Sequence, residues 1–233
     1  MKKKEIKAIL IDVGGVLALG ETSKFKKGKF IPSGVHLDIS KKLGISIDQY
    51  LDSIDTTYAF AITGKISKEK VVKILSANFG ITPKKLKKFY LDSYKKFFKQ
   101  NQELFKQLFI LKKQGYEIAI LSDQWCLSKE ALMPKKIYKK FGVVLISCDV
   151  GIRKPNPKIY QLAIKKLNFS PNEILFIDNQ KWNIEPAKKL GMDTILFKNN
   201  HQLFSDDKWR AISRRVNLNY SLSSEVGRRN LFK

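Results

Sequence analysis

Three polar side chains each follow a short run of apolar residues: Asp12, Ser122 and Asp178. An uninterrupted apolar run of four or so residues is typical of a strand buried on both faces. Gly14 and Gly15 come soon after the first aspartate and permit a tight turn, in which the main chain approaches a ligand closely. Carboxylates at strand ends can act as nucleophiles or bind a divalent cation, and a serine hydroxyl can donate to an oxyanion.

The elements that must position these side chains alternate between strand and helix. The predicted strands are 8–11, 117–121, 143–146, 174–177 and 194–197. The predicted helices are 102–114, 129–140, 157–167 with Asn156 as its cap, and one that ends at Leu190 before Gly191. This alternation predicts an α/β fold with a doubly wound parallel sheet. Because the carboxyl ends of parallel strands lie at one edge, we expect the three polar side chains to meet there.

Residues from 21 to 100 differ from the rest, because apolar residues recur there at helical spacing and no convincing buried strand is present. Ser67 is the expected N-cap of one helix, and Thr82 with Pro83 opens the next. We therefore predict a core domain of residues 1–20 and 98–200, an inserted helical domain of residues 21–97, and a basic C-terminal extension of residues 201–233.

The chain is strongly basic, with 45 Lys and Arg against 21 Asp and Glu and a formal net charge of +24. Most of this charge is lysine scattered in pairs, which is more typical of solvated helix faces than of a nucleic-acid site. The charge nevertheless favours attraction of phosphorylated substrates. The chain from about His201 lies beyond the last predicted strand, and its part from Lys208 to Arg229 is basic with interleaved aromatic residues. This segment could bind RNA or an acidic partner, although a terminal helix with a frayed tail is the commoner outcome.

Two cysteines are too few for a disulfide framework and are typical of a reducing cytoplasm, so we expect a cytoplasmic protein. The opening Lys2–Lys4 and the apolar run after it imitate a signal peptide, but Asp12 interrupts that run. No apolar run reaches the roughly 18 residues needed to span a bilayer, and we expect no membrane partner.

Four segments carry a more specific pattern: residues 12–17, the strand that ends in Ser122, residues 154–157 and residues 176–179. Their order and spacing resemble the four motifs of the haloacid dehalogenase-like (HAD) hydrolase superfamily, over residues 5 to 198. The inserted helices resemble the small cap domain of that superfamily. The resemblance implies a Rossmann-like core and a Mg²⁺-dependent phosphohydrolase that acts on a small phosphorylated metabolite.

The resemblance also implies roles for individual residues. Asp12 would be the nucleophile that forms an aspartyl-phosphate, and Asp12, Asp178 and the Gly14 carbonyl would bind Mg²⁺. Ser122 and Lys154 would be catalytic together with Asp12, and Ser122, Asp123 and Lys154 would bind the phosphorylated substrate. Asn179 would orient a bound water, and Asn183 would cap the helix after the fourth motif.

The pattern departs from the superfamily at one position. Its phosphatases usually carry a second aspartate two residues after the nucleophile, which protonates the leaving group and later activates water, but Gly14 stands here. Proton transfer of this kind is typically worth about 10²–10⁴-fold in rate. Three outcomes stay open: the substrate has a leaving group that needs little protonation, such as an acyl, aryl or anomeric sugar phosphate; Asp123, Glu21 or His36 replaces the aspartate; or hydrolysis has been lost. We favour the first two.

Two alternatives remain. The dehalogenase branch of the superfamily also lacks the second aspartate and needs no metal, but the Ile177–Asp178–Asn179 context favours Mg²⁺ and phosphate. A protein weakened in catalysis that binds nucleic acid or an acidic partner through its basic residues is the alternative from another class.

Overall fold

The computed structural model describes residues 5–20, 24–26, 29–31 and 33–215. The described residues form nine strands: β1 (Ala8–Ile11), β2 (Ala18–Gly20), β3 (Lys24–Lys26), β4 (Lys29–Ile31), β5 (Phe98–Gln100), β6 (Glu117–Ser122), β7 (Val144–Ile146), β8 (Ile174–Asp178) and β9 (Asp193–Leu196). They also form twelve α-helices: α1 (Gly34–Leu43), α2 (Ile47–Ala61), α3 (Lys68–Asn78), α4 (Pro83–Phe97), α5 (Gln102–Lys113), α6 (Lys129–Leu132), α7 (Lys135–Tyr138), α8 (Ser147–Val150), α9 (Pro157–Leu167), α10 (Lys181–Lys189), α11 (Asn200–Ser205) and α12 (Asp207–Arg215).

Five strands form the central sheet in the order β7-β6-β1-β8-β9, and every pair in it is parallel. The predicted doubly wound α/β fold is thus confirmed. β1 is central, and its four side chains alternate between two cores, with Ile9 and Ile11 on one face of the sheet and Ala8 and Leu10 on the other. Burial on both faces explains why β1 has a continuous apolar sequence rather than an alternating one.

Helices α1 to α4 pack on one another in sequence, and α1 also packs on α4; we call this group the helical layer. Ser46 starts α2 with a capping box to Gln49, and the predicted caps Ser67 and Thr82 accept hydrogen bonds from backbone N–H groups of the first turns of α3 and α4. The division of the chain into core, inserted domain and extension stays a prediction.

The helical layer shares one continuous apolar core with a face of the sheet. Tyr90 of α4 and Tyr58 of α2 each meet the ring of Trp125, which follows β6, at centroid distances of 5.3 and 5.2 Å in edge-to-face geometry. Trp125 also donates a hydrogen bond to the Tyr94 hydroxyl at 3.3 Å. Such aromatic pairs add to the stabilisation from area burial, so the helical layer is fixed against the loop after β6.

Two local predictions differ from the structure. The predicted helix 129–140 is broken into α6 and α7, because Met133 is extended, with φ −147° and ψ 118°, directly before Pro134. Region 21–100 contains strands that the pattern did not indicate: β3 pairs with β4, and β5 pairs antiparallel with β2. Each of these strands has only three residues, too few to show a period.

The chain after β9 continues as α11 and α12, which fold back on the core. Trp209 and Ile212 are buried, and Lys208 donates to the Thr194 carbonyl at 2.8 Å and lies 3.6 Å from Asp193. The predicted terminal helix is therefore present, whereas the predicted frayed tail would follow it and falls on residues 216–233, which lie outside the described residues. Among the helices that are described, none combines the length and apolar character needed to cross a bilayer.

Candidate active site

Asp12 lies directly after β1, at the edge of the sheet where the strands end; we call this edge the carboxyl edge. Its Oδ1 accepts a hydrogen bond from the Val13 N–H at 2.8 Å, and its own N–H donates to the Ile177 carbonyl at 3.0 Å. Gly15 has a φ of 82°, and a Cβ there would lie 2.3 Å from Nδ2 of Asn179. Glycine is needed at this position because the turn runs against the loop after β8.

Asp178 is the last residue of β8 and lies level with Asp12, because Ile11 pairs in parallel register with Ile177. It is fully buried, and its Oδ1 accepts a hydrogen bond from the Gln180 N–H at 2.7 Å. This register explains why the two carboxylates at the ends of β1 and β8 lie close together, as expected from the sequence.

Lys154 joins the two carboxylates from the loop before α9. Its Nζ lies 3.1 Å from Oδ1 of Asp12 and 2.6 Å from Oδ2 of Asp178, and it donates to the Leu121 carbonyl at 3.2 Å. The Lys154 side chain is 1% exposed and is therefore buried, unlike the scattered lysines of the helix faces. The predicted cap Asn156 accepts a hydrogen bond from the Lys158 N–H and starts α9 two residues after Lys154.

The electrostatics of this cluster reflect its burial. Burial raises the pKa of Asp12 to about 6; Lys154 opposes that rise, and the nearby Asp178 adds to it. Burial alone would lower the pKa of Lys154, but the carboxylates of Asp12 and Asp178 outweigh it and raise that pKa instead. The lysine therefore stays protonated and offsets the repulsion between two carboxylates that share one site.

Ser122 ends β6, beside β1, and is also buried. A hydrogen bond from Ser122 favours the ionised form of Asp12. Ser122 Oγ accepts from Nε2 of Gln124 at 3.2 Å, and Oε1 of Gln124 accepts from the Tyr138 hydroxyl at 3.0 Å. Gln124 and Tyr138 were missed from the sequence; the only signal is that Gln124 lies two residues after a strand-end serine.

Asp123 lies beside the cluster and not within it. Its Oδ1 accepts the Lys154 N–H at 3.0 Å, and its Oδ2 is 3.6 Å from Nε of Arg153. Burial raises the pKa of Asp123, while Lys154 and Arg153 act against that rise. The carboxylate thus holds the loop that carries Lys154 at the end of β6.

The prediction that Asn183 caps the helix after β8 is wrong. α10 begins at Lys181 with Gln180 as its N-cap residue, so Asn183 is already in the first helical turn. Its Nδ2 instead donates to both oxygens of Asp178, at 3.2 and 3.1 Å. The Asn183 side chain faces the end of β8 because side chains in the first turn of a helix point back toward the helix N-terminus.

The groups considered as substitutes for a second catalytic aspartate are not all at the carboxyl edge. Nδ1 of His36 lies 3.1 Å from the Tyr50 hydroxyl inside the helical layer, and burial lowers its pKa. Glu21 lies outside the described residues. Gly14 lies next to the turn, and a Cβ placed on it would meet no heavy atom within 4 Å.

The oxygen atoms at the carboxyl edge fit a hard divalent cation. Besides the carboxylates of Asp12 and Asp178, Oδ1 of Asn179 is buried and has no hydrogen-bond partner among the described residues. A buried amide oxygen without a partner costs free energy, which a cation or its bound water would recover. Among the described residues there is no group of three or more His, Cys, Asp and Glu residues that could hold a metal ion by themselves. Two carboxylates and one amide oxygen are donors of the kind that Mg²⁺ takes together with waters.

Comparison with curated proteins gives partial matches. The chain is 33% identical over 104 residues to bifunctional epoxide hydrolase 2 of Mus musculus, covering 42% of this chain and 19% of that protein. It is 35% identical over 99 residues to the glyceraldehyde 3-phosphate phosphatase of Pyrococcus furiosus, covering 40% of each. It is 38% identical over 89 residues to (S)-2-haloacid dehalogenase 4A of Burkholderia cepacia, covering 36% and 37%. The chain thus spans less than half the length of these relatives.

Solved structures show the same fold over nearly the whole chain. A HAD family enzyme from Bacteroides thetaiotaomicron, in complex with magnesium and inorganic phosphate, superposes with a TM-score of 0.66 at 20% identity, covering 85% of this chain and 99% of that one. The sequence profile described as haloacid dehalogenase-like hydrolase matches residues 6–191. With its parallel sheet and its aspartates at the ends of β1 and β8, this chain belongs to the haloacid dehalogenase-like hydrolases.

Proposed function

We propose that this chain is a Mg²⁺-dependent phosphohydrolase that acts on a small phosphorylated metabolite, with Asp12 as the nucleophile. The observation that carries the proposal is the buried cluster in which Nζ of Lys154 lies 3.1 Å from Asp12 and 2.6 Å from Asp178. A cation held between two carboxylates provides the positive charge that a phosphoryl group needs when it enters a buried site. The phosphatase from Pyrococcus furiosus among the relatives supports this reading.

Each residue of the cluster has a part in the proposed reaction. Asp12 attacks phosphorus through a carboxylate oxygen, and the bond to the leaving group breaks to give an aspartyl-phosphate, which water then hydrolyses. Lys154 neutralises phosphoryl charge, and the Ser122 hydroxyl donates to a phosphoryl oxygen. Asp123 contributes to substrate binding through Lys154, because its carboxylate accepts a hydrogen bond from the Lys154 N–H and holds that loop in place.

Asp12, Asp178 and the Gly14 carbonyl would hold Mg²⁺, with Asn179 orienting a bound water and Asn183 fixing the Asp178 carboxylate. When bound, the ion supplies positive charge that screens the phosphoryl oxygens from the carboxylates. Among the described residues, Lys154 is the cation that contacts both aspartates.

A panel of phosphorylated metabolites with Mg²⁺ tests the proposal. We expect phosphate release from the wild type, none after chelation, and a loss on the order of 10⁴-fold or more in Asp12→Asn, because the nucleophile is gone. We also expect intact mass under turnover to show one added phosphoryl group, since Gly14 provides no base to speed hydrolysis of the intermediate. No phosphate release from any compound, or equal release by wild type and Asp12→Asn, contradicts the proposal.

A metal-independent dehalogenase is the second candidate, favoured by the dehalogenase relative from Burkholderia cepacia and by glycine at position 14. The fully buried Asp178 and the unpartnered Asn179 oxygen argue instead for a cation site. Halide release from a 2-haloacid in the presence of a chelator decides between them. Release of halide without any phosphatase activity would reverse our choice.

Binding of nucleic acid or an acidic partner is a third proposal, with less support than the two enzyme functions. The described part of the C-terminal extension carries Arg210, Arg214 and Arg215 on the exposed side of α12. Phosphate contacts would make such binding salt-dependent. A flat metabolite panel together with salt-dependent RNA binding would favour this function over the enzyme.

A further inference from the structure

The position of Gly14 leaves open space next to the proposed nucleophile. A Cβ at this residue would meet no heavy atom within 4 Å, and its backbone is not in the left-handed region that demands glycine. Gly15, one residue later, is the opposite case, because a Cβ there would collide with Asn179. Only the second glycine is therefore required by the turn, and the first leaves room for a side chain that this chain does not have.

No described carboxyl group at the carboxyl edge is free to supply a proton in place of that side chain. Both oxygens of Asp178 accept hydrogen bonds, from Lys154, the Gln180 N–H and the Asn183 amide. Asp123 accepts from the Lys154 N–H and faces Arg153. The oxygens of both carboxyl groups thus already accept hydrogen bonds or face a cation, so neither group is directed at a leaving oxygen.

Lys154 is occupied as well. An ammonium group has three protons, and Nζ of Lys154 has three acceptors within 3.2 Å: Asp12, Asp178 and the Leu121 carbonyl. The Ser122 hydroxyl interacts with Asp12 and accepts from Gln124. In the proposed function these four side chains, Asp123, Lys154, Asp178 and Ser122, hold and orient a phosphoryl group. Each of the four is already engaged by other described residues, so none of them is poised to protonate the leaving oxygen.

We infer that this chain is selective for phosphoryl compounds whose leaving group departs as a stable anion, namely acyl and aryl phosphates, and discriminates against alkyl phosphate esters. This inference rests on the proposed phosphohydrolase function. In the first step an Asp12 oxygen donates an electron pair to phosphorus, and the pair of the breaking P–O bond leaves with the carboxylate or phenolate. In the second step water attacks phosphorus, the Asp12 carboxylate is released, and the water protons pass to phosphate and solvent.

A leaving-group series measures this selectivity in the wild-type protein with Mg²⁺. The compounds, in order of increasingly basic leaving group, are acetyl, para-nitrophenyl, phenyl and ethyl phosphate. We expect kcat/KM, which reports the first step, to fall along the series, by at least about 10²-fold between para-nitrophenyl and ethyl phosphate, because no general acid offsets the poorer leaving group. Equal kcat/KM along the series overturns the inference while leaving the phosphohydrolase intact.

Substitutions at the open position provide an independent check. Gly14→Asp places a carboxyl group where there is space, and we expect it to raise kcat/KM for ethyl phosphate at least about tenfold more than that for acetyl phosphate. Gly14→Asn has the same shape without an acidic proton, and we expect it to keep the steep wild-type dependence. A gain by Gly14→Asp that is equal for all four compounds contradicts the inference.

The possible outcomes distinguish a failure of the leaving-group selectivity from a failure of the proposed phosphohydrolase function. Circular dichroism checks that both variants fold, and the wild-type series decides alone if either does not. Turnover of none of the four compounds, with no phosphoryl group added to Asp12 by acetyl phosphate, overturns the proposed function and the inference with it. Turnover that is insensitive to the leaving group overturns only the inference and points to a proton donor outside the described residues, such as Glu21.

Discussion

In each of two regions of this molecule a carboxylate contacts a lysine that is distant in sequence, and the two regions differ in their surroundings. At the carboxyl edge, Lys154 bridges Asp12 and Asp178. In the helical layer, Asp38 of α1 lies 2.6 Å from Lys42 and 2.7 Å from Lys96, and it accepts from the Ser93 hydroxyl at 2.6 Å. We call these four residues the Asp38 cluster. It holds α1 against α4.

Burial separates the two regions. Lys154 is 1% exposed, whereas Lys96 is 62% exposed and reaches Asp38 from the surface. Burial also acts on Asp38, but hydrogen bonds from Lys42, Lys96 and Ser93 outweigh it and lower the pKa of that carboxyl. At the carboxyl edge burial prevails, and the pKa of Asp12 is raised to about 6.

This difference is the one expected between a cluster that stabilises the fold and a cluster that could perform chemistry. Two buried carboxylates beside one lysine leave a net negative charge, which costs free energy unless a further cation is bound. The Asp38 cluster has two lysines for one carboxylate and stays near water, so it needs no ligand. Strongly perturbed groups at the edge of a sheet are typical of functional sites.

The largest effect on stability is expected from Lys154→Met in metal-free buffer. Removal of the lysine leaves Asp12 and Asp178 buried without a cation, and breaking a buried pair of this kind typically costs about 3–5 kcal/mol. The matched control is Lys158→Met, because Lys158 is exposed on α9. Urea unfolding measures both free energies. A loss in Lys154→Met no larger than that in the control means that the buried cluster does not depend on its lysine.

The pH dependence of stability should have opposite signs in the two regions. The folded pKa of Asp12, about 6, lies above the ordinary value of about 3.9, so the stability it contributes is full below pH 4 and lost as pH rises through about 6. The folded pKa of Asp38 is lowered, so its contribution is present above pH 4 and lost as pH falls below it.

Metal-free unfolding free energies of wild type, Asp12→Asn and Asp38→Asn across pH 3 to 7 measure these slopes. The difference between wild type and Asp12→Asn should fall as pH rises from about 4 to about 6, and the difference between wild type and Asp38→Asn should fall as pH drops below about 4. Slopes of the same sign would remove the contrast between the regions.

The smallest effect is expected from Asp38→Asn at neutral pH. Ion pairs with partly exposed lysines are worth up to about 1 kcal/mol, and the Asn side chain keeps one acceptor for Ser93. Asp52→Asn is the control, because Asp52 is an exposed carboxylate of α2. Phosphatase activity should not change in either variant. A stability loss as large as that of Lys154→Met would show that the Asp38 cluster is as tightly coupled as the buried one.

Much of the candidate site was predictable from the sequence because it is built from strand ends. Apolar runs located β1, β6 and β8, and a parallel sheet leaves only one edge where Asp12, Ser122 and Asp178 meet. The partners of these residues were harder to predict. Asn183 was assigned to a helix cap because local spacing does not distinguish a cap from a first-turn side chain directed to the strand end.

Helix ends and short strands were the least predictable elements. The break between α6 and α7 depends on one proline, and β2 and β5 pair across most of the helical region with three residues each. Gln124 and Tyr138 are linked to Ser122 by two successive side-chain hydrogen bonds, and no sequence pattern indicates such a link. Contacts of this kind depend on which surfaces pack, and packing is decided after the local elements form.

The sequence by itself determined the parallel α/β fold, the strand-end aspartates and the absence of an acid at Gly14, because apolar periodicity and residue identity are local properties. The tertiary structure alone decided that Lys154 is buried between Asp12 and Asp178, that the neighbouring carboxylates are already occupied, and that space is left beside Gly14. The physical reason is burial: the free energy of a charge depends on the water and the partners around it, which no linear spacing specifies.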